Sequence, residues 1–415
     1  MTRQLALRTL LALAALALAA CSDGSGVDTA ADASADGSGD AGGLDAADAA
    51  EQAPPFAEIE ETYTRHIGAF PPTERNVDGD ETSFEYDYPL EAGGPLCIRG
   101  TPYRVSIRDM GSPNTLFYMQ GGGLCYSGFC FAIEGAGSPG VPRFDVLDPD
   151  DPDNPFADWN VVYLPYCDGS LFAGEMSYDV DDDGEPDRIH RGFANLSVGM
   201  DALVENFGDS ERVLIAGSSG GGFGTIWGAP LVRMLMPEVD LMVFNDAGVG
   251  VVRGNEPEFA LGLVEEFGAR DLVPPSCSTC IDDGHLTPLV AWVHERDPTI
   301  RTAAFSSYGD AIIATIFLEI SAAEFEEALL RELGGLADQF PGRYGAFLIE
   351  GNQHTVLLGD IAGFIGEDLA GESGNPFEAF ISLARLGETF IGEVSAREWL
   401  GWFLDDDPRW GALYE

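Results

Sequence analysis

The stretch Val213-Leu-Ile-Ala-Gly-Ser-Ser-Gly-Gly-Gly-Phe-Gly224 decides how the rest of the chain is read. Val213 to Ala216 is an apolar run of strand type, and Phe223, Ile226 and Trp227 fit one face of a following helix. Between them, Gly217-Ser-Ser-Gly-Gly221 fits G-x-S-x-G with Ser219 at its centre. That pattern turns a strand sharply into a helix so that a serine hydroxyl projects. Side chains at the flanking positions would collide with the neighbouring strand and helix, and the serine backbone is forced into a strained turn. A glycine-rich turn with an incidental serine matches the same five residues, so the remainder of the chain has to decide.

Working outward, short apolar runs alternate with helical patterns. Ser83 to Leu90 and Tyr103 to Ile107 alternate in the manner of strands, while Leu116 to Met119 and Asn160 to Leu164 read as buried strands. Gly192 to Phe207 carries Phe193, Leu196, Met200, Leu203 and Val204 at helical spacing. After the elbow come a strand at Leu241 to Phe244, helices at Pro257 to Phe267 and Thr287 to His294, and a weak strand at Thr302 to Phe305. Ala322 to Phe340 is an amphipathic helix opened by Ser321 with Glu324 three residues on, the spacing of a capping box. Tyr344 to Ile349 is a last strand, and 364–415 mixes helix and loop. The expectation is an α/β fold, a mainly parallel sheet of α/β-hydrolase type with helices on both faces.

At 415 residues the chain has room for one large α/β domain with insertions. Its formal charge of −49 sets 70 acidic residues against 21 basic ones, all of them Arg. Such a surface repels phosphate backbones, so no nucleic-acid partner is expected. Residues 1–20 read as a signal peptide, with Arg3 and Arg8 before an apolar run too short to span a membrane comfortably. Leu18-Ala-Ala-Cys21 resembles a bacterial lipobox, which makes Cys21 the lipidation site. The chain is then expected to be exported and anchored at the periplasmic or extracellular face, touching membrane only through that N-terminal lipid. Residues 21–53 are an Asp/Ala/Gly/Ser tether with too little apolar surface to fold, leaving 54–415 as a single domain.

The other cysteines are Cys97, Cys125, Cys130, Cys167, Cys277 and Cys280, an even set that reads as disulfides in an exported protein. Cys125 with Cys130 and Cys277 with Cys280 are close enough to staple loops, leaving Cys97 for Cys167. Zinc at Cys277-Ser-Thr-Cys280 lacks a second ligand pair at suitable spacing.

In a doubly wound sheet, ligands bind beyond the carboxyl ends of the strands. Gly121 to Gly123, Asp168, Ser219, Asp246, Asp310 and His354 all follow strand-like runs there. The order Ser, Asp, His is that of α/β-hydrolases. Among the five histidines, only His354 lies in a polar turn just after a C-terminal buried strand, which suits it to take the Ser219 proton. Asp310 and Asp246 compete as the acid. Position after the penultimate strand favours Asp310, and Asp246 could instead brace the elbow or a loop. The N–H after Ser219 belongs to Gly220, and the Gly121-Gly-Gly123 turn offers further backbone donors for a developing oxyanion. Gly135-Ala-Gly-Ser-Pro-Gly140 matches G-x-G-x-x-G, but no clear strand feeds it and no Lys exists for a phosphate loop.

Taken together, Gly121-Gly-Gly-Leu-Cys125, Tyr166-Cys-Asp-Gly-Ser170, Gly217-Ser-Ser-Gly-Gly221, Asp246-Ala-Gly248, Asp310 and His354 resemble the pectin acetylesterase/Notum family. The resemblance implies an α/β-hydrolase that cleaves ester-linked acyl groups, with Ser219 as nucleophile, Asp310 as acid, His354 as base and Gly122, Gly123 and Gly220 as oxyanion donors. It also implies an acylated small-molecule or polysaccharide substrate and no required cofactor. Family members usually carry an aromatic near the glycine run, where Leu124 stands here. They also carry further cysteines around the final histidine, which Gln353 precedes in this chain.

Asp179-Val-Asp181-Asp-Asp183-Gly184-Glu-Pro-Asp187 resembles the start of a calcium loop, with oxygens at alternate positions. Position twelve is His190 and not Glu, so the expectation is either an acidic turn between two strands or a shortened structural Ca²⁺ site. The functional alternatives are a serine peptidase or lipid deacylase on the same scaffold, and a non-catalytic surface binding protein. An intact Ser/Asp/His set argues against the last.

Overall fold

In the computed structural model the described residues are 53–358 and 382–415. The expected signal peptide, Cys21 and most of the tether lie outside them. The centre is a ten-stranded sheet ordered β1-β2-β3-β7-β4-β10-β11-β12-β13-β16. Its parallel part runs from β7 (Asn160–Leu164) through β4 (Asn114–Met119), β10 (Arg212–Ser218), β11 (Asp240–Asp246), β12 (Arg301–Ser307) and β13 (Tyr344–Ile349) to β16 (Leu413–Tyr414). At one edge β1 (Glu74–Asp78), β2 (Glu81–Tyr86) and β3 (Tyr103–Arg108) pair antiparallel. This is an α/β-hydrolase-like architecture.

The unbroken apolar runs have a simple cause. Along each parallel strand, alternate side chains enter two separate cores. Val213 and Ile215, Leu241 and Val243, and Phe117 and Met119 face one. Leu214 and Ala216, Met242 and Phe244, and Leu116 and Tyr118 face the other. Neither face meets water, so neither needs a polar residue. The first core is closed by α2 (Gly192–Phe207), α3 (Gly220–Leu235), α4 (Pro257–Phe267), α5 (Thr287–Arg296) and α6 (Ala322–Gln339). The second is closed by α7 (Ala396–Leu404), through Trp399 and Phe403, together with long loops. Helices therefore cover both faces unequally.

Most elements fall where the periodicity puts them, and the capping box of α6 forms as read, with Ser321 and Glu324 each satisfying the other's backbone N–H. Three details differ. Val204 is exposed although its spacing placed it on the apolar face of α2. The β2 strand stops at Tyr86, because Pro89 begins a different turn. β12 runs for seven residues, longer than its weak pattern.

The disulfides are Cys97–Cys167, Cys125–Cys130 and Cys277–Cys280. Cys125 and Cys130 are directly opposed in a hairpin of β5 (Gly123–Tyr126) and β6 (Phe129–Ala132). Cys97–Cys167 ties the loop before β3 to the turn after β7, where Ile98 also donates its N–H to the Cys167 carbonyl at 2.7 Å. It closes a separation of 70 residues, against 3 for Cys277–Cys280. Loop-closure entropy then sets the ranking. Replacing Cys97 and Cys167 by Ser should cost roughly 2–5 kcal/mol in urea denaturation, and replacing Cys277 and Cys280 clearly less.

Candidate active site

Strand β10 carries Ser218 at its end, and Ser219 forms the corner before α3. Ser219 has φ 56° and ψ −118°, a backbone state that L-residues avoid and that survives only where its surroundings enforce it. Its own N–H donates to the Asp246 carbonyl at 2.7 Å, and its carbonyl accepts from Phe223 at 3.1 Å. The glycine requirement is literal here. A Cβ on Gly221 would meet the Met119 carbonyl, and one on Gly217 would meet the Gly221 carbonyl. The corner leaves Ser219 almost fully buried at the head of α3, whose N-terminus favours developing negative charge.

Asp310 follows β12 and His354 follows β13, and the structure brings the two together. His354 Nδ1 lies 2.7 Å from Asp310 Oδ2, both side chains being fully buried. Since a carboxylate oxygen accepts, Nδ1 carries the hydrogen and Nε2 is the basic nitrogen. The other oxygen of Asp310 is occupied. Oδ1 accepts the N–H of Ile312 at 3.0 Å and of Ile313 at 2.9 Å, capping a π-helical turn over Ala311–Phe317. The carboxylate is thus fixed by two backbone donors, with one oxygen reserved for the imidazole. His354 is fixed in turn by its own N–H, which donates to the Ser382 carbonyl at 2.6 Å.

The Gly121 to Gly123 turn leaves β4 directly above the elbow, where a Cβ on Gly121 would lie 2.8 Å from that of Ser219. Gly123, at φ 104°, opens β5. Gly123, Gly220 and Ser219 together line one cavity, whereas Gly122 packs under Ile133 and Tyr166. Tyr166 braces this corner as well. Its ring is 3.2 Å from the Cβ that Gly220 lacks, and its hydroxyl accepts the Leu171 N–H at 3.0 Å.

The cavity occupies about 670 Å³, mouth included, and its walls are almost wholly apolar. Trp227 of α3, Leu263 and Phe267 of α4, and Ile313 and Phe317 of the π-helical turn supply much of the surface. Ser170 is a polar member of the rim, and a second carboxylate holds it. Asp168 Oδ2 accepts the Ser170 N–H at 2.9 Å and also its hydroxyl, while that hydroxyl accepts from Gly174 at 3.0 Å.

Asp246, the weaker contender for the acid, commits its carboxylate to other partners. Its carboxylate accepts from Ser218 Oγ at 2.6 Å, Val356 N at 2.9 Å and Leu357 N at 3.0 Å. It braces both the elbow and a loop. The sequence offered elbow or loop for it; which loop could not be read, because the one it holds lies 110 residues away. The π-helical turn had no sequence signal as a site element, and the Tyr166 motif gave no hint of its bracing role.

Of the acidic-loop residues, Asp179, Asp181 and Asp187 converge, with ligand oxygens within 4.8 Å of one another, and Asp183 is not among them. The loop joins β8 (Ser177–Tyr178) to β9 (Arg188–Ile189). Its carboxylates accept from the loop's own backbone, Asp187 from Val180 at 2.7 Å and Asp179 from Gly184 at 2.8 Å. His190 points inward instead, its Nδ1 donating to the Asp168 carbonyl at 2.8 Å.

A pectinacetylesterase family model matches residues 141–254. In addition, 138 residues are 32% identical to pectin acetylesterase 4 of Arabidopsis thaliana, a match covering 31% of this chain and 33% of the relative. Over these stretches the chain is similar to pectinacetylesterases. It spans only about a third of that relative's length, and the family match takes in Asp168, Ser219, Gly220 and Asp246 but stops before Asp310 and His354. The geometry outside the matched region therefore has to stand by itself. It does so through the His354–Asp310 pair, carried after β13 and β12 at the same sheet end as the elbow.

Burial leaves one titration signature at the rim. Asp168 is pushed up from 3.8 to about 6, the loss of hydration outweighing its Ser170 hydrogen bonds. A carboxyl whose folded pKa exceeds its unfolded value costs stability once ionised, and that cost develops as the pH rises from about 4 to about 6. The charge is worth roughly 3 kcal/mol. Asp168→Asn should therefore gain on its parent by about that amount between pH 4 and pH 7, whatever hydrogen bonds both lose. Denaturant melts across the range check it.

Proposed function

We propose that the chain is a serine carboxylesterase that removes ester-linked acyl groups, acetyl or another short acyl, from a polysaccharide or related carrier. The observation that carries this reading is the buried His354–Asp310 hydrogen bond at the same sheet end as the strained Ser219 corner. A binding protein would have no use for that combination.

Ser219 Oγ attacks the ester carbonyl while His354 Nε2 takes its proton. Negative charge then builds on the carbonyl oxygen, where the N–H of Gly220, at the head of α3, and those of Gly122 and Gly123 receive it. The imidazolium formed is steadied by Asp310, whose second oxygen is already committed to Ile312 and Ile313. His354 returns the proton to the departing alcohol, and water repeats the sequence on the acyl-enzyme. The reaction so written requires no cofactor. The apolar cavity takes the acyl side of the ester, leaving the alcohol toward solvent.

Export belongs to the same proposal. The signal-like residues 1–20, the lipobox-like Cys21 and the tether to residue 53 support a domain held outside the cytoplasm on a lipid anchor, and three disulfides suit that compartment.

Protein spanning residues 54–415, assayed on p-nitrophenyl acetate, butyrate and longer esters, tests the chemistry. Ser219→Ala and His354→Ala should each lower kcat by roughly 10³-fold or more, and Asp310→Asn by about 10²–10⁴-fold. Equal rates in parent and Ser219→Ala would sink the esterase reading. Hydrolysis of neither esters nor amides by the parent would point to a binding protein. Filling the cavity with Leu263→Trp should reduce kcat/KM for the longer esters while sparing acetate, read from the chain-length profile.

A further inference from the structure

Three residues other than glycine around the elbow have left-handed backbones: Ser219 at φ 56°, Ala247 at φ 62° and Thr355 at φ 41°. Such a state in a β-branched residue is a genuine outlier, and outliers persist only where neighbours over-determine them. All three border one residue. Asp246 immediately precedes Ala247, its carbonyl holds the Ser219 N–H, and its carboxylate holds the N–H of Val356, next to Thr355.

The carboxylate accepts three hydrogen bonds. Ser218 Oγ and Leu357 N reach Oδ2, and Val356 N reaches Oδ1. An ionised carboxylate only accepts, so Ser218 donates to it. The Tyr118 hydroxyl, 2.6 Å from Ser218 Oγ, must then donate to Ser218. The relay runs from β4 through the residue before the nucleophile to the two amides that follow His354 and Thr355.

We infer that Asp246 is a positioning residue for the proposed hydrolysis, clamping the strained loop after His354 onto the serine elbow so that the imidazole keeps its approach to Ser219. It touches neither substrate nor the reacting oxygen, and it acts through His354. The inference rests on the esterase reading. Burial holds the Asp246 carboxyl up at about 6, against its three donors and the nearby His354, so the ionised clamp is carried at a cost to stability. A residue kept only for folding would not be expected to carry that cost.

Asp246→Asn in the full chain tests the inference, since the amide keeps the shape but turns one N–H toward a backbone N–H. On p-nitrophenyl butyrate kcat should fall about 100-fold with little change in KM, and the melting temperature at pH 7.5 should stay within a few degrees of the parent. In a His354→Ala background the same substitution should change the residual rate less than about twofold. A general loosening of the fold would instead repeat its loss there and overturn the inference, as would an unimpaired single variant. Were Ser219→Ala and His354→Ala harmless, the esterase reading itself would fail, whatever Asp246 does. Hydrogen exchange on the unmodified protein covers the case of a variant that does not fold. Slow exchange at Val356 and Leu357 is expected, and exchange at the rate of an open loop would overturn the clamp.

Discussion

Ser218 and Asp246 sit opposite one another at the last rung of the β10–β11 ladder, and that register constrains everything around the site. A parallel sheet ends its strands on one side, so a one-residue shift would send Ser218 and Asp246 to opposite faces and dismantle the corner. With the register kept, the backbone of Asp246 reaches the nucleophile's amide and its side chain reaches the loop after β13. The apolar alternation into two cores enforces the register. Slipping β11 by one position would expose Val243 to packing meant for Phe244, along the whole strand.

Strain at the corner and rigidity around it are two sides of the same arrangement. Ser219 can occupy its unfavourable backbone state because glycines at 217 and 221 let strand and helix approach until no Cβ would fit. The oxyanion donors proposed here come from the same close approach, Gly121 standing directly over Ser219. Tyr166 then fills the space left by missing side chains at 122 and 220. Aromatic bulk beside a glycine cluster restores packing density without returning steric conflict to the corner.

Much of this was legible in the chain, and the reason is locality. The elbow is written within Gly217 to Gly221 because its geometry depends on adjacent residues. The strands at 116–119, 160–164, 241–244 and 344–349 announce themselves because both faces are buried. That Asp310 and His354 lie together follows from strand order, since this sheet type delivers its loops to one end. The rest depended on contacts distant in sequence. Nothing in Asp246-Ala-Gly248 tells that its carboxylate will meet amides of residues 356 and 357. The all-exposed β1, Glu-Arg-Asn-Val-Asp, has no apolar alternation to read, being held by its ladder to β2. Ala311 to Phe317 resembles an ordinary apolar segment, and nothing in its residues announces the wide winding that follows the Asp310 cap.

That cap gives the site a further coupling. One oxygen of Asp310 holds the imidazole, and the other holds the first turn of the segment whose Ile313 and Phe317 wall the apolar cavity. Acyl recognition and base orientation, in the proposed reaction, share a single carboxylate. A wall that shifted to admit a longer chain would pull on the Ile312 and Ile313 amides, and through them on the plane of the group orienting His354. Catalysis is sensitive to displacements on the ångström scale, so a chain of the wrong length would be penalised in turnover as well as in binding. The base, by contrast, is protected from the opposite side by the Asp246 clamp. The two buried carboxylates thus divide the work: one sets the imidazole's tautomer and senses the acyl wall, and the other keeps its loop against the elbow.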